Sequence, residues 1–282
     1  MNDDGLHSKF SPSKMERMLA CPGSVALEAT CAKKETAFTI EGDAAHRLAQ
    51  LALTDGKFDT RLYLNRKIES PEFLVTAEMC EKVQIYVDAV RDRVEKFRGR
   101  EDVKNVILRI EEKIDTSGVL GVPEQFGTAD TLMIVEFKDG TAMISVEDLK
   151  YGTGVKVEAQ NNAQLMTYGA GALSACAATH NVQQVHLVIH MPRLSHVSEQ
   201  MLTADALRAF AAQVKNGVAD SIQQEDILKT KGPDALTLNA SRKQCLFCRA
   251  KSICPAFKKA QKQSKLSHET KKKADNSPTA KF

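Results

Sequence analysis

The chain has no uninterrupted apolar stretch long enough to cross a bilayer, which excludes a helical membrane protein. Its opening, Met1-Asn2-Asp3-Asp4-Gly5, is acidic and lacks the basic-then-apolar order of a secretory signal, so a cytoplasmic protein is expected. It has no Gly-x-x-x-x-Gly-Lys-[Ser/Thr] phosphate loop, which argues against an intrinsic ATP-driven motor, and no internal repeat. Nor is it uniformly basic. The net charge is +3, but Lys258 to Phe282 holds eight Lys against Glu269 and Asp275; this tail is +6 and residues 1–257 sum to −3. Any nucleic-acid contact must therefore come from a local patch or from the tail.

What is present is enough apolar sequence, 43% of 282 residues, to bury one large core. Seven cysteines make an odd count in a chain too large to need stapling, and in a reducing compartment they read as buried thiols or metal ligands. Ser11-Pro12-Ser13 reads as a helix start, with Glu16 completing a capping box from Ser13, and that helix ends near Cys21-Pro22-Gly23. A second helix is expected from near Glu41-Gly42, carrying His46, and a long amphipathic one over Thr76–Phe97, with Val83, Tyr86, Val87, Val90 and Val94 inward. The period then becomes strand-like over Val106–Ile110, Thr131–Phe137 and Thr141–Lys150. A helix over about Val157–Cys176, a strand over Val185–Ile189 and a helix over Ala204–Ile222 complete an α/β sandwich with a mixed sheet. A single domain over 1–258 is expected, and beyond it a Lys/Gln/Ser-rich tail, 259–282, too poor in apolar residues to order itself.

Asp148-Leu149-Lys150 ends the third strand. Residues two apart share a face, so Asp148 and Lys150 project together while Leu149 faces the core. Asp139-Gly140 marks a hairpin. If the loop is Lys138-Asp139-Gly140 with Gly140 left-handed, Phe137 pairs with Thr141 and Asp130 falls opposite Asp148; a two-residue loop would put the two on opposite faces. The three-residue register is expected. Facing carboxylates repel unless a cation lies between them, and an oxygen-rich site suits Mg²⁺ or Mn²⁺. A lysine beside them supplies positive charge for a phosphate oxygen, the set that phosphodiester hydrolysis needs. Taken alone, Asp-x-Lys is an ordinary surface pair, His46 a half-buried helical residue, and Gln164 with Tyr168 routine helix packing.

In this order the residues resemble the RecB-like branch of the PD-(D/E)XK nucleases: Gly42 with His46, Gly127 with Asp130, Asp148 with Lys150, and Gln164 with Tyr168. The resemblance implies a PD-(D/E)XK restriction-endonuclease-like core, a central mixed sheet flanked by helices. It implies metal ligation by His46, Asp130, Asp148 and the Leu149 carbonyl, catalysis by Lys150, and DNA contact from Gln164 and Tyr168. It implies a DNA exonuclease of a bacterial or phage-infected cell that resects ends for a single-strand-annealing partner. Whether it forms a homo-oligomer stays open.

Cys245, Cys248 and Cys254 follow a Cys-x₂-Cys-x₅-Cys spacing, and three thiolates need a fourth ligand. Cys21-Pro22 repeats the Cys254-Pro255 dipeptide. The pattern resembles the iron–sulfur subset of RecB-like nucleases, AddB-like and CRISPR-associated, which implies a [4Fe–4S] cluster on Cys21, Cys245, Cys248 and Cys254; zinc at these cysteines is the alternative. Cys31, Cys80 and Cys176 lack the spacing and read as small buried hydrophobes. Arg17 reads as a surface residue or a DNA contact, and Lys271, Lys272 and Lys273 as phosphate contacts or a solubilising end. The rival from another class is a non-catalytic DNA-binding or assembly module that keeps the fold and the cysteine site; a third reading is an iron–sulfur redox protein.

Overall fold

In a computed structural model, residues 9–32, 36–68 and 72–264 are described. Along the chain lie α1 (Met15–Ala20), α2 (Ser24–Ala29), α3 (Ala37–Thr54), β1 (Lys67–Ile68), β2 (Phe73–Leu74), α4 (Ala77–Arg98), β3 (Val103–Asp115) and α5 (Ser117–Leu120). There follow β4 (Phe126–Phe137), β5 (Thr141–Leu149), α6 (Ala163–Cys176), β6 (Asn181–Met191), β7 (His196–Thr203), α7 (Ala204–Lys231) and α8 (Arg242–Cys245). Two compact units result: one from Met1–Met15 with Lys34–Lys215, the other from Glu16–Lys33 with Asn216–Phe282.

The first unit is α/β. Its sheet runs β3-β4-β5-β6-β7, with β5 and β6 parallel and every other pair antiparallel. The period of two along the strands sorts their side chains. Leu132, Ile134, Ile144 and Val146 pack with Leu165, Ala172 and Leu173 of α6, whereas Met133, Val135 and Met143 pack with Val94 of α4. Helices α3 and α4 meet through Ala45, Leu48, Met79, Val83 and Val87, and Leu149 joins them from the end of β5. The hairpin takes the expected register: Thr131 pairs with Glu147 and Glu136 with Ala142, Gly140 adopts φ +87°, and the next step beyond Thr131–Glu147 sets Asp130 against Asp148. The Asp139 carboxylate fixes the turn, accepting from the Thr141 amide at 2.9 Å and hydroxyl at 2.7 Å.

Several boundaries differ from expectation for identifiable reasons. Helix α3 starts near Ala37 because Thr36 and Thr39 form the capping box, ahead of Glu41-Gly42. The Ser13–Glu16 box does not form: Ser11 is the N-cap of a short 3₁₀ turn, without a side-chain cap, and Glu16 pairs with Lys243. Helix α6 begins at Ala163, six residues later than expected, capped by Asn162 accepting from Leu165 N–H at 3.1 Å. Strand β7 was not expected, since of its eight residues only Ser198 is buried and it offers no apolar inward row. Residues 255–264 are helical, although 259–264 were assigned to the unordered tail; the rest of the tail, including Lys271, Lys272 and Lys273, lies outside the described residues.

On the α4 face of the sheet a polar network lies beside the apolar packing of Met133, Val135 and Met143. Fully buried Glu147 binds Arg93 Nε at 3.0 Å and His190 Nε2 at 2.7 Å, while Arg93 also reaches Glu199 at 2.8 Å. His190 stacks edge-on against Tyr86, whose hydroxyl lies 2.7 Å from Thr131 Oγ1. Removing one member of a buried pair strands the other charge. Glu147→Ala should therefore lower the unfolding free energy by about 3–5 kcal/mol in urea titration; a change below about 1 kcal/mol would show that the network is not needed for stability.

Candidate functional site

Four elements of the first unit converge where β5 ends beside the first half of β4. His46 comes from α3, Asp130 from β4, Asp148, Leu149 and Lys150 from the end of β5, and Gln164 and Tyr168 from α6. Asp130 is held at both oxygens: Oδ1 lies 2.9 Å from His46 Nδ1, and Oδ2 accepts the Leu149 amide at 2.6 Å. Lys150 Nζ lies 2.7 Å from Asp148 Oδ2 and donates to Gln164 Oε1 at 3.0 Å. Gln164 in turn donates to Asp148 Oδ1 at 3.1 Å and bonds to Tyr168. Every site residue expected from the sequence in this unit is thus brought together. The chain is anchored just past Lys150 as well, since Tyr151 is buried with the Arg193 guanidinium 4.9 Å above its ring.

The glycines of the two motifs differ in their physical basis. A Cβ on Gly127 would come within 2.7 Å of the Tyr168 ring and 2.8 Å of Pro12, so only glycine lets the aromatic approach the strand. Gly42 has nothing within 4 Å of a Cβ position, and sterics do not explain it.

One site residue was missed. Glu111 on β3 lies level with Asp130 in a register that pairs Ile110 with Thr131 and Glu112 with Ala129. Its backbone is left-handed, φ +52°, a conformation that costs a non-glycine residue about 1–3 kcal/mol and is typical of functional positions. Ligand atoms of His46, Glu111 and Asp130 all lie within 4.8 Å of one another, a mixed imidazole and carboxylate set that suits a divalent cation. Asp148 lies outside that trio and faces Lys150 and Gln164 instead. The signal available in the sequence was a pair of adjacent acids, Glu111-Glu112, in a strand that also carries Lys104, Arg109, Lys113 and Asp115, and it carries no motif.

Electrostatics follow from crowding. Burial pushes the Asp148 carboxyl up and Asp130 adds to this, against the opposing pull of Lys150. Burial, reinforced by Asp130, lifts Glu111 to about 7. Burial alone would depress His46, but the Asp130 carboxylate overrides it and raises the imidazole to about 9. Burial first, then the aspartates, moves the Tyr168 phenol upward. The site is therefore short of positive charge.

The second unit holds the cysteine segments. Gly23 N–H donates to Thr237 O at 2.9 Å, and a Cβ there would meet Leu236, Leu238 and the Thr237 carbonyl at 3.0 Å, so this glycine permits the close approach. Cys21 Sγ accepts from Asn239 N–H at 3.2 Å, and Cys254 Sγ from Phe257 N–H at 3.4 Å. Burial raises the Cys21 thiol, and its neighbours Cys254 and Cys245 raise it further. Three of the four expected sulfurs therefore share one locale. Cys248 lies against buried Glu28, and burial with that carboxylate pushes it up to about 11. Glu28 also accepts the Arg249 amide at 2.9 Å and pairs with Arg17, which is thereby tied into its own unit. Cys31 packs beside Cys248 and Cys254 and donates to Leu27 O. Cys21 and Cys254 are placed as amide-hydrogen acceptors, while among the described residues no three cysteine sulfurs lie within 4.8 Å of one another.

A family model described as a protein of unknown function, DUF2800, matches residues 7–281, and the chain belongs to that family.

His46 and Glu111 hold their protons more tightly when folded. Their folded values of about 9 and about 7 exceed the ordinary 6.5 and 4.5, so folding stability falls as pH rises from about 4.5 through about 9. In scanning calorimetry with EDTA, Tm should decline over that window, and Glu111→Gln should flatten its acidic half. Mn²⁺ should raise Tm more at pH 8 than at pH 6, because ligation requires the deprotonated groups. A Tm indifferent to both pH and Mn²⁺ would remove the metal site.

Proposed function

We propose that this chain is a divalent-cation-dependent deoxyribonuclease with a RecB-like, PD-(D/E)XK core, and that Cys21, Cys245, Cys248 and Cys254 hold a [4Fe–4S] cluster. The observation that carries the reading is the meeting of Asp130, Asp148 and Lys150 with His46 and Glu111 at the end of β5. A buried carboxyl that resists ionisation, as Asp148 does beside Asp130, has no packing value; a pseudoenzyme would gain stability by losing it.

Asp130, Glu111 and His46 would hold Mg²⁺ or Mn²⁺, with Asp148 and the Leu149 peptide at its edge. When bound, the cation supplies positive charge for the scissile phosphate and acidity for the attacking water. Asp130 cannot swing, because both oxygens are engaged, so its donor direction is preorganised. Lys150, fixed between Asp148 and Gln164, presents its ammonium to the phosphate oxygen on which charge grows as the phosphorus–oxygen bond breaks. Gln164 couples that lysine to Tyr168 and so to Gly127. The cluster would act as a covalent tie within the second unit. Resection of DNA ends for a strand-annealing partner, in a bacterial or phage-infected cell, is the role this chemistry serves, and exonucleolytic action is its expected form.

Anaerobically purified protein should be brown, contain iron and acid-labile sulfide, and lose its colour in Cys254→Ser. It should digest end-labelled linear DNA but not closed circles, with Mg²⁺ or Mn²⁺ and not with EDTA. Asp148→Ala and Lys150→Ala should each reduce the rate at least about 10²-fold while leaving the far-UV circular dichroism unchanged. Wild-type protein that binds DNA and never cuts it would sink the proposal and leave a non-catalytic module.

A further inference from the structure

The cysteine segment has a second feature that neither the catalytic residues nor a metal group uses. The two residues between Cys245 and Cys248 both point outward: Phe247 is 74% exposed and Leu246 43%. Ile253, immediately before Cys254, is 43% exposed. A short turn whose flanking cysteines are anchored inward cannot retract such a ring, so the apolar surface is presented rather than left over. Its own stretch of chain is of one sign, although Glu16 pairs with Lys243 and buried Glu28 accepts the Arg249 amide. From Ala235 to His268 the chain has eight Lys and Arg and no Asp or Glu. Arg249, Lys251, Ser252, Phe257, Lys258 and Gln261 line an open concavity of about 520 Å³. Lys251 sits 5.1 Å above the Phe257 ring, while Arg242, Arg249, Lys258, Lys259 and Lys262 are exposed.

From this surface we infer that the Cys245–Cys254 segment is a binding site for single-stranded DNA, with Phe247 stacking on an unpaired base and Arg249, Lys251 and Lys258 holding the adjoining phosphates. The inference rests on the reading of the chain as a DNA-cutting enzyme and adds where the strand is gripped. An exposed ring set among cations, where the neighbouring Glu16 and Glu28 are already paired with Lys243 and Arg17, is complementary to a polyanion that carries flat apolar faces, and only an unpaired base frees such a face. The chain's own residues 265–282 do not complement it, because they too are net basic. An apolar protein partner would not require the missing acids.

The test is fluorescence anisotropy of the anaerobically purified full chain with labelled oligo-dT in buffer containing EDTA, which prevents cleavage, alongside 2-aminopurine oligonucleotides that report stacking. Phe247→Leu, which keeps apolar bulk and removes the ring, should weaken binding about 5- to 150-fold and abolish the 2-aminopurine quench. Phe247→Tyr should restore both. Arg249→Gln and Lys258→Gln should each lower the slope of log K against log salt by about 0.7. Unchanged metal content and circular dichroism in the exposed Phe247 variants separate binding from folding. If Phe247→Leu binds and quenches like wild type, the site is wrong, even in a protein that cuts DNA normally. If Phe247→Leu loses binding to anionic phospholipid vesicles but not to oligo-dT, the surface is a lipid site and the inference is overturned. If wild-type protein binds through Phe247 yet never cleaves with Mn²⁺, the nuclease reading fails and this assignment stands.

Discussion

The first unit is arranged around a repulsion. The β4–β5 hairpin sets Asp130 against Asp148 at the one end of the sheet where His46, Glu111 and Lys150 also arrive, and burial makes each extra negative charge harder to hold. Neighbouring positive and donor groups are spent on containing it. Asp130 takes the His46 ring and the Leu149 amide, and Asp148 takes Lys150 and Gln164. Uncompensated carboxylates of this kind resist ionisation, as the raised Glu111 and Asp148 groups do, until a cation joins them. The proposed chemistry uses that deficit of positive charge.

The rest of the unit keeps the carboxylates from drifting apart. Met133, Val135 and Met143 on one face and Leu132, Ile134, Ile144 and Val146 on the other lock the hairpin between α4 and α6. A slip of one residue would turn every one of these side chains to the wrong face and separate Asp130 from Asp148. Glu147 shows the same logic with charge. It alternates with Asp148 along β5, so it points at α4 and needs Arg93 and His190 for company. Adjacent acids on one strand thus serve two faces, one closed and structural, the other open to a ligand.

The second unit separates two uses of one short segment. Its cysteines turn inward, toward amide donors and toward Glu28, while the residues between them turn outward among cations. Such a division follows from a tight turn, in which residues three apart, Cys245 and Cys248, share a side and the two between them face the other way. The proposed cluster would use the inward sulfurs and the proposed strand the outward face, and the two proposals can fail separately.

The sequence alone determined the sheet-forming stretches, the amphipathic α4, the shared face of Asp148 and Lys150 and the hairpin register that sets Asp130 against Asp148; that His46, Gln164 and Tyr168 join them was implied by the family resemblance. The former depend on local chemistry: strand period, Asp139-Gly140 turn geometry and side-chain type. Only the tertiary structure decided the rest. Strand β7 forms because β6 offers an edge, not because its own side chains demand burial. Glu111 joins the site with a left-handed backbone, level with Asp130 across β3 and β4 and 65 residues from His46 in the chain, and no motif marks it. Cys248 faces Glu28, more than two hundred positions away, although spacing alone groups it with Cys245 and Cys254. Spacing reports what neighbours in sequence can reach; which distant carboxylate or edge they meet is fixed only when the core has packed.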